Sequence, residues 1–577
     1  MYRPVLDAVG GSLLLTALVA MLPLLTLFVL LGVFRVTAWK ASIISLVVSI
    51  LVAILAYSMP TGQAVLSGAE GAVFGFFPIL WIVINAIWVY NMTVVTGHFD
   101  VLRRSFAKVS DDQRIQAVIV AFCFGALLEA LAGFGTPVAI TSVMLIALGF
   151  RPLKAAVIAL VANTAPVAFG ALAVPITTLS SVSGVPQDTL GAIVGRQTPV
   201  LALFVPMALV FIIDKGKGVR ETLPATIVCG VSFGIAQFVT SNYLSVQLSD
   251  VVASLFSAGC VVLLLRVWSP ATPFVDTSED AQDSKVLAGV GAQSQAGLAA
   301  AGGSDGHKVP EGMSVDDIAA RDAAANDTPA DVARAYAPYL VIIAVFVITQ
   351  LPGVKDLFDA PTFSFKWPGL HLQTAGGDPS SIPKFKVNWL GAAGTLMVIS
   401  GLISIPILGI SVKKALKAYV DTYKQLFGAI VTVMAVLGLA YVMNASGETA
   451  TLGEWVAGAG AAFAVLSPIL GWLGVAVTGS DTSSNSLFGA LQVQAAHQTG
   501  LNPAVMAAAN SSGGVLGKMI SPQNLAIAAA AVGMSGQEGE VFRKVFKWSV
   551  VFLVFMCVLV YLQTTPVLSW MLTGSGA

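Results

Sequence analysis

Charge is what this chain has least of. Asp, Glu, Lys and Arg together make up 10% of its 577 residues, against 56% hydrophobic residues and a mean hydropathy of +0.85. A soluble domain carries about 25% charged residues, so a soluble enzyme with a membrane tag is excluded. The 30 basic and 30 acidic residues cancel, which leaves no electrostatic case for a nucleic-acid partner. Cysteine and histidine are scarce, four of each. Cys123, Cys229, Cys260 and Cys557 lie singly in apolar runs and read as small hydrophobes, not as disulfides or metal ligands. His98, His307, His371 and His497 are too scattered to build a metal or haem site, and only His497 is placed to be half-buried. No Ser-His-Asp spacing is recognisable and no Walker motif occurs, so ATP-driven transport by this chain has no basis. Short segments of alternating polarity, the mark of a β-barrel, are also missing.

What fills the space is long apolar runs. At about 20 residues per crossing there is room for about twelve to fourteen crossings or half-crossings of an all-α polytopic membrane protein. The runs fall near 11–34, 41–58, 71–96, 115–132, 154–173, 190–213, 222–245 and 247–268, and then near 336–351, 389–411, 426–446, 454–475 and 548–572. The first outlasts a signal-peptide core and has no small-residue cleavage site, so it reads as a retained span. Residues 271–335 turn hydrophilic and rich in Ala, Gly, Ser and Asp. That composition reads as a flexible linker, with a short helix near 314–335, between a first half (1–270) and a second (336–577). Cytoplasmic loops hold the excess of Lys and Arg. Arg35 and Lys40, then Arg103, Arg104, Lys108 and Arg114, then Lys413, Lys414, Lys417 and Lys424, then Arg543, Lys544 and Lys547 therefore mark the inside, with the linker. The 352–388 loop, with its Pro, Gly, Phe and Trp, is expected to fold over the outer face, although Lys384 and Lys386 weigh against it.

Two stretches break the apolar pattern in a matched way. Residues 129–175 carry Glu129-Ala-Leu-Ala-Gly133-Phe-Gly135-Thr136-Pro137 and then Asn163-Thr164-Ala-Pro166. Residues 478–524 carry Thr478-Gly479-Ser480-Asp481-Thr482-Ser483-Ser484-Asn485 and then Asn510-Ser511-Ser512. Gly170 and Gly517 each lie seven residues after Asn163 and Asn510, and Pro175 and Pro522 each lie twelve after. Gly/Pro-interrupted segments in corresponding positions of two halves are the best sequence pointer to a transporter's binding site. Small residues also serve as packing surfaces between membrane helices, but polar groups coinciding with the breaks in both halves favour the site.

A carboxylate inside a span is costly and by default functional, and three qualify: Glu70, Glu129 and Asp481. Desolvation favours the protonated form, so such a group can carry one proton per cycle. Alternatively it caps a half-helix N-terminus as a fixed charge. Glu129, with fewer polar neighbours in sequence, is the better proton carrier. Asp481 divides evenly between coupling and a fixed or gating role. Glu70 lies near an outer boundary, where it could be exposed. Free N–H groups at a helix break receive anions, so Gly133, Gly135, Thr136, Asn163 and Thr164 on one side and Thr482, Ser483, Ser484, Asn485, Asn510, Ser511 and Ser512 on the other are candidate pocket residues. Their hydroxyls equally well satisfy carbonyls at the break. Lys518 is the cation within the second region; it can offset an anionic substrate, pair with Asp481, or snorkel to the interface. Arg196 is a second cation that either serves the site or marks a loop.

Gly68-Ala-Glu70-Gly71 running through Pro78 and Trp81 to Asn85, the Glu129–Pro137 string, the Thr478–Asn485 string, and Asn510-Ser-Ser-Gly-Gly-Val-Leu-Gly-Lys518-Met-Ile-Ser521-Pro522-Gln523-Asn524 together resemble the bacterial lactate permease family. The likeness spans nearly the whole chain outside the linker, which is longer than the family pattern leads one to expect. It implies a multi-pass secondary carrier of the bacterial inner membrane that moves L-lactate, D-lactate or glycolate with protons. It further implies two inverted structural repeats with re-entrant helical hairpins and an elevator-like shift. On this view the partners are a 2-hydroxymonocarboxylate, protons and the lipid bilayer, with no cofactor beyond the coupling proton and the oligomeric state left open. The competing expectations are a sodium-coupled carrier, since Ser, Thr, Asn and carbonyls at breaks also hold Na⁺, an intramembrane hydrolase built on Asp481 or a Ser with Glu129, and a passive anion channel.

Overall fold

A chain this apolar must satisfy its backbone within itself, and it does so almost wholly as helix. The computed structural model describes residues 2–34, 36–107, 109–133, 135–274, 327–349, 351, 353–373, 380 and 384–572. Among these, eleven helices are long and apolar enough to cross a bilayer. The pair Pro152–Ala162 and Val167–Ser183, bent by 64°, makes a twelfth crossing if taken as one span. Thr136–Ala147 and Ala393–Leu408 are shorter apolar helices.

Several spans differ from their sequence outline, each for a local reason. The expected 71–96 span starts earlier, as Thr61–Val95. It bends at Phe77 (φ −130°, ψ 121°), because the residue before a proline, here Pro78, is pushed to extended backbone. The expected 190–213 span continues to Glu221 and breaks at Asp214 and Lys215. The helix Val412–Ser446 has 35 residues, about 50 Å at the α-helical rise. Its first turns, with Lys413, Lys414, Lys417 and Lys424, thus lie beyond the 426–446 run that the apolar pattern marked. Most of the 271–335 linker, including residues 314–326 of the helix expected near 314–335, lies outside the described residues. Its end is helix from Pro329 onward, where Thr328 and Asp331 form a reciprocal cap. Arg104 holds Asp327 with two bonds of 2.7 Å. In the 352–388 loop, Phe363–Lys366 pairs antiparallel with Lys384–Val387, and Tyr2 joins His371 and Gln373 through its backbone.

Arg114, expected among the cytoplasmic loop charges, is buried. It is 1% exposed and donates to Asp112 at 2.7 Å, Asp214 at 2.8 Å and Glu221 at 2.7 Å. A guanidinium is tolerated in the interior only when its charge and donors are matched, and this cage fastens the start of Gln113–Ala117 to the broken end of Val205–Glu221. His497, expected half-buried, is exposed. Arg196 lies within the helix Gln187–Ala202 and donates to Asn242 and the Met571 carbonyl, so it does not mark a loop.

Helices approach closely where side chains are missing. A Cβ on Gly471, Gly513 or Gly517 would run into the carbonyls of Asn510, Pro468 and Trp472 respectively, so Phe463–Thr478 and Pro503–Gly517 pack almost backbone to backbone. Gly71 and Gly438 do the same for Thr61–Phe74 against Val412–Ser446. This is the small-residue packing of membrane helices. Gly513→Val is expected to lower stability by about 1–3 kcal/mol through overpacking, read as a lower unfolding temperature in detergent. Gly259→Ala, which meets nothing within 4 Å, should cause no loss.

Candidate functional site

Both interrupted regions share one order of elements: helix, break, helix, tight turn, helix, break, helix. In the first these are Gly125–Leu131, Thr136–Ala147, Pro152–Ala162 and Gly170–Ser183. In the second they are Phe463–Thr478, Asp481–Thr499, Pro503–Gly517 and Pro522–Ala531. The breaks follow from local chemistry. Gly135 (φ 84°) and Gly479 (φ 76°) take left-handed backbone that ends one helix before the next begins. Ser480 accepts from Ser483 N–H and Ser521 from Asn524 N–H, each as an N-cap, with Pro522 at the first helical position. The tight turn of the second region is capped too: Asn502 accepts from Ala504 and Val505 N–H.

The two regions pack crosswise. Gly170–Ser183 lies against Asp481–Thr499, and Thr136–Ala147 lies against Pro522–Ala531. A cavity opens where the breaks meet. Glu129, Gly133, Gly170, Ala171 and Pro175 line it from the first region, together with Val167 and Val174. The second region contributes Ser480, Asp481, Thr482 and Lys518, with Gln523 and Asn524 beside them.

Lys518 Nζ donates to Glu129 Oε1 at 2.5 Å, a buried ion pair between residues 389 apart in sequence. The pairing with Asp481 considered from sequence is not made, and snorkelling is excluded, since Lys518 is 6% exposed. Glu129 fits because Gly170 has no side chain: a Cβ there would stand 2.7 Å from Glu129 Oε1. Its other oxygen, Oε2, has no hydrogen-bond partner among the described residues. Asp481 is 3% exposed; its Oδ2 accepts from Ser511 Oγ at 2.6 Å and Asn485 Nδ2 at 3.3 Å, while Oδ1 is unpartnered. Two helix N-termini, at Asp481 and at Pro522, meet this space. The first N–H groups of a helix have no partner within it; beyond those capped by Ser480 and Ser521, they can, with Lys518, receive an anion. Val167, Ala171 and Val174 give the space an apolar wall.

Of the sequence candidates, Glu129, Gly133, Asp481, Thr482 and Lys518 line the cavity, and the others do not. Ser484 bonds the Gly471 carbonyl, Asn485 the Pro175 carbonyl, and Asn510 donates to Asn485 and accepts from Gln492. Ser512 donates to Gln197 at 2.6 Å. With Ser511 these side chains form a layer behind Asp481, because they face neighbouring helices and not the gap. Ser483 belongs to the capped first turn. Thr164 bonds back to Val161, and neither amide atom of Asn163 has a partner among the described residues. Gly135 packs against Ile527 and Asn524, and Thr136 begins the helix behind the break. Glu70 is 1% exposed, not at an outer surface; it lies in the helix packed on Val412–Ser446, away from the cavity. Sequence reading missed Gln523 and Asn524 as lining residues, though their place just after the Ser-Pro break is an N-terminal signal. It also missed two buried carboxyls, Asp250 and Glu448.

A family model described as L-lactate permease matches residues 16–567. The chain belongs to the L-lactate permease family. Relatives of this permease chain include the L-lactate permease of Bacillus subtilis (strain 168), 38% identical over 98% of both chains. The glycolate permease GlcA of Escherichia coli (strain K12) is 41% identical over 98% of this chain and 97% of that one. The L-lactate permease of the same organism is 38% identical over 98% of both. Among solved structures, the YdaH transporter of Alcanivorax borkumensis aligns over 86% of both chains at 14% identity and a TM-score of 0.39. With its eleven candidate spans, the permease-family chain is a multi-pass protein of the bacterial inner membrane.

Removing one partner of a buried pair leaves an uncompensated charge, at a cost of about 3–5 kcal/mol. Lys518→Met is therefore expected to lower the unfolding temperature in detergent sharply, and the double variant Lys518→Met/Glu129→Gln to regain most of the loss. Equal losses in single and double variants would mean the pair is not coupled.

Proposed function

We propose that this chain is a secondary active carrier of L-lactate, D-lactate and glycolate that moves its substrate together with protons. The observation that carries this reading is a cavity between two helix breaks holding a lysine, paired to a glutamate, and an aspartate with one bare oxygen. The relatives named as lactate and glycolate permeases support the substrate class. A small 2-hydroxy acid fits the lining: the carboxylate toward Lys518 and the helix N-termini, the hydroxyl toward Ser480, Thr482 or Asn524, and the carbon end toward Ala171 and Val174.

Charge balance gives the reason for protons. A substrate carboxylate that takes Lys518 leaves Glu129 as a buried anion, and an unpaired buried carboxylate is unfavourable unless protonated. Proton uptake by Glu129, with Asp481 as the second candidate, keeps the site's charge unchanged as the anion enters. Each charge left uncompensated would face about 2.3 kcal/mol per 100 mV of membrane potential. Glu70, outside the cavity, has no part in this scheme.

The shared order of elements supports two inverted repeats, one in residues 1–270 and one in 336–577, joined by a cytoplasmic linker at 271–335. Asn510, Gly517 and Pro522 each follow Asn163, Gly170 and Pro175 by the same 347 positions, and the crosswise packing is the pattern a two-fold relation produces. In such carriers access alternates by moving one rigid body against another around the site. An elevator-like shift of the broken regions against the long helices Thr61–Val95 and Val412–Ser446 fits this division.

Labelled L-lactate uptake into sodium-free proteoliposomes with an alkaline interior tests the proposal. The expected result is accumulation above the external concentration, collapsed by a protonophore. Glu129→Gln and Asp481→Asn should each lose about tenfold or more, the scale of a hydrogen bond to a charged group. Strict sodium dependence with no response to pH would transfer the coupling to sodium. Equilibration without accumulation would make the protein a channel.

A further inference from the structure

Asp250 is a buried acid for which the cavity has no use. It stands in the first turn of Ser249–Leu265, is 0% exposed, and lines no part of the space between the breaks. Its Oδ1 accepts from Gln237 Nε2 at 2.7 Å, and Gln237 in turn accepts from Thr198 Oγ1 at 3.1 Å. Its Oδ2 has no hydrogen-bond partner among the described residues. Asp250 is thus a buried carboxyl with one neutral donor on one oxygen and, among the described residues, nothing on the other.

The surroundings tie Asp250 to the site. Ser249–Leu265 packs directly on Gly125–Leu131, the helix that bears Glu129. Glu129 also carries a buried oxygen without a hydrogen-bond partner among the described residues. The other titratable groups on the elements around it are Cys123, Cys229 and Tyr243, with Asp331, Arg334, Tyr336 and Tyr339 on Pro329–Ile348. Among the described residues none of these hydrogen-bonds to Asp250. The turn preceding Asp250 is drawn inward. Val246 packs on Gly191 and Ser241 on Gly195, both positions where a Cβ would collide, and Val246–Leu248 touches Gly170–Ser183. A few residues earlier, Tyr243 and Leu244 are 69% and 52% exposed. Asp250 therefore stands between a surface turn and the helix of the ion pair.

We infer that Asp250 is a proton-relay residue for Glu129, accepting a proton from the side of the Tyr243–Ser245 turn and passing it on when substrate draws Lys518 away. The transfer is balanced: the Asp250 carboxylic acid gives up its O–H proton, relayed through water between the two helices, to the Glu129 carboxylate, and the resulting Asp250 carboxylate takes up a solvent proton from the side of the turn. The inference rests on proton coupling as proposed above and adds a residue outside the cavity.

Two assays on full-length protein in proteoliposomes separate the cases. Lactate counterflow at equal pH on both sides needs no net proton movement, whereas pH-driven accumulation does. Asp250→Asn is expected to keep counterflow near the wild-type rate and lose concentrative, pH-driven uptake. Asp250→Glu, which keeps the acid, should recover accumulation. Wild-type accumulation by Asp250→Asn overturns the inference. So does parallel loss of counterflow and accumulation in both variants, which would make Asp250 a packing residue. A wild-type protein whose uptake ignores the pH gradient would instead overturn proton coupling itself.

Discussion

The bond from Lys518 to Glu129 is the constraint on which the site's geometry depends. Two opposite charges meet in an interior that neither could enter alone, and they come from two separate broken regions. Room for Glu129 exists because Gly170 lacks a side chain. The lysine's own carbonyl, at the break, accepts from Ser521 N–H at 3.3 Å, Ser521 Oγ at 3.0 Å and Asn524 Nδ2 at 3.2 Å. The same serine caps the next helix, so one residue both closes the break and holds the cation in place. In the proposed carrier, an arriving carboxylate would meet a positive charge already paired, so that its binding would be tied to what becomes of Glu129.

Asp481 is held in a different way. Ser511 and Asn485 bond one of its oxygens, Asn510 bonds Asn485, and Gln492 bonds Asn510. Asn485 also reaches the Pro175 carbonyl of the other region. Ser512, next along, is linked through Gln197 to Gln563 at 2.7 Å. These residues therefore fix the position of a carboxyl without touching the cavity. A chain of amides and hydroxyls in which most members are satisfied rigidifies its surroundings, and the bare oxygen of Asp481 is the exception that leaves it chemically open.

The broad architecture was readable from residues because lipid punishes any departure from apolar helix. Paired Gly, Pro and polar residues at Gly133–Pro137 and Gly479–Asn485 pointed to breaks. Which way each polar side chain faced was not readable. Ser511 and Ser512 are adjacent yet serve Asp481 and Gln197, and Asn163 and Asn510 share a position while only Asn510 is bonded. The partner of Lys518 was hidden by a separation of 389 residues. Asp250 and Arg114 escaped for a common reason: each sits at the first turn of a helix, where a charge in sequence looks like the edge of a loop. Only the packing of neighbouring elements over those turns makes them interior.

The two regions match in element order, but the site they form is lopsided. Lys518 follows Ala171 by the same 347 positions that relate the flanking glycines and prolines, so one region places a cation where the other places a methyl group. The backbones differ there as well. Ala171, Leu172 and Ala173 are all left-handed (φ 45°, 58° and 58°), whereas Lys518–Ile520 is a right-handed turn. Three such residues cost about 1–2 kcal/mol each, and strain of this kind persists only where the surroundings over-determine it; here all three are buried. What the strained turn achieves is to hold Gly170 against Glu129 and to present Ala171 as a small apolar surface on the cavity. A symmetric pocket would suit a symmetric ligand. One with a cation on one wall and bare carbon on the other suits a molecule with a single carboxylate and a short carbon end, which is the shape of a 2-hydroxymonocarboxylate.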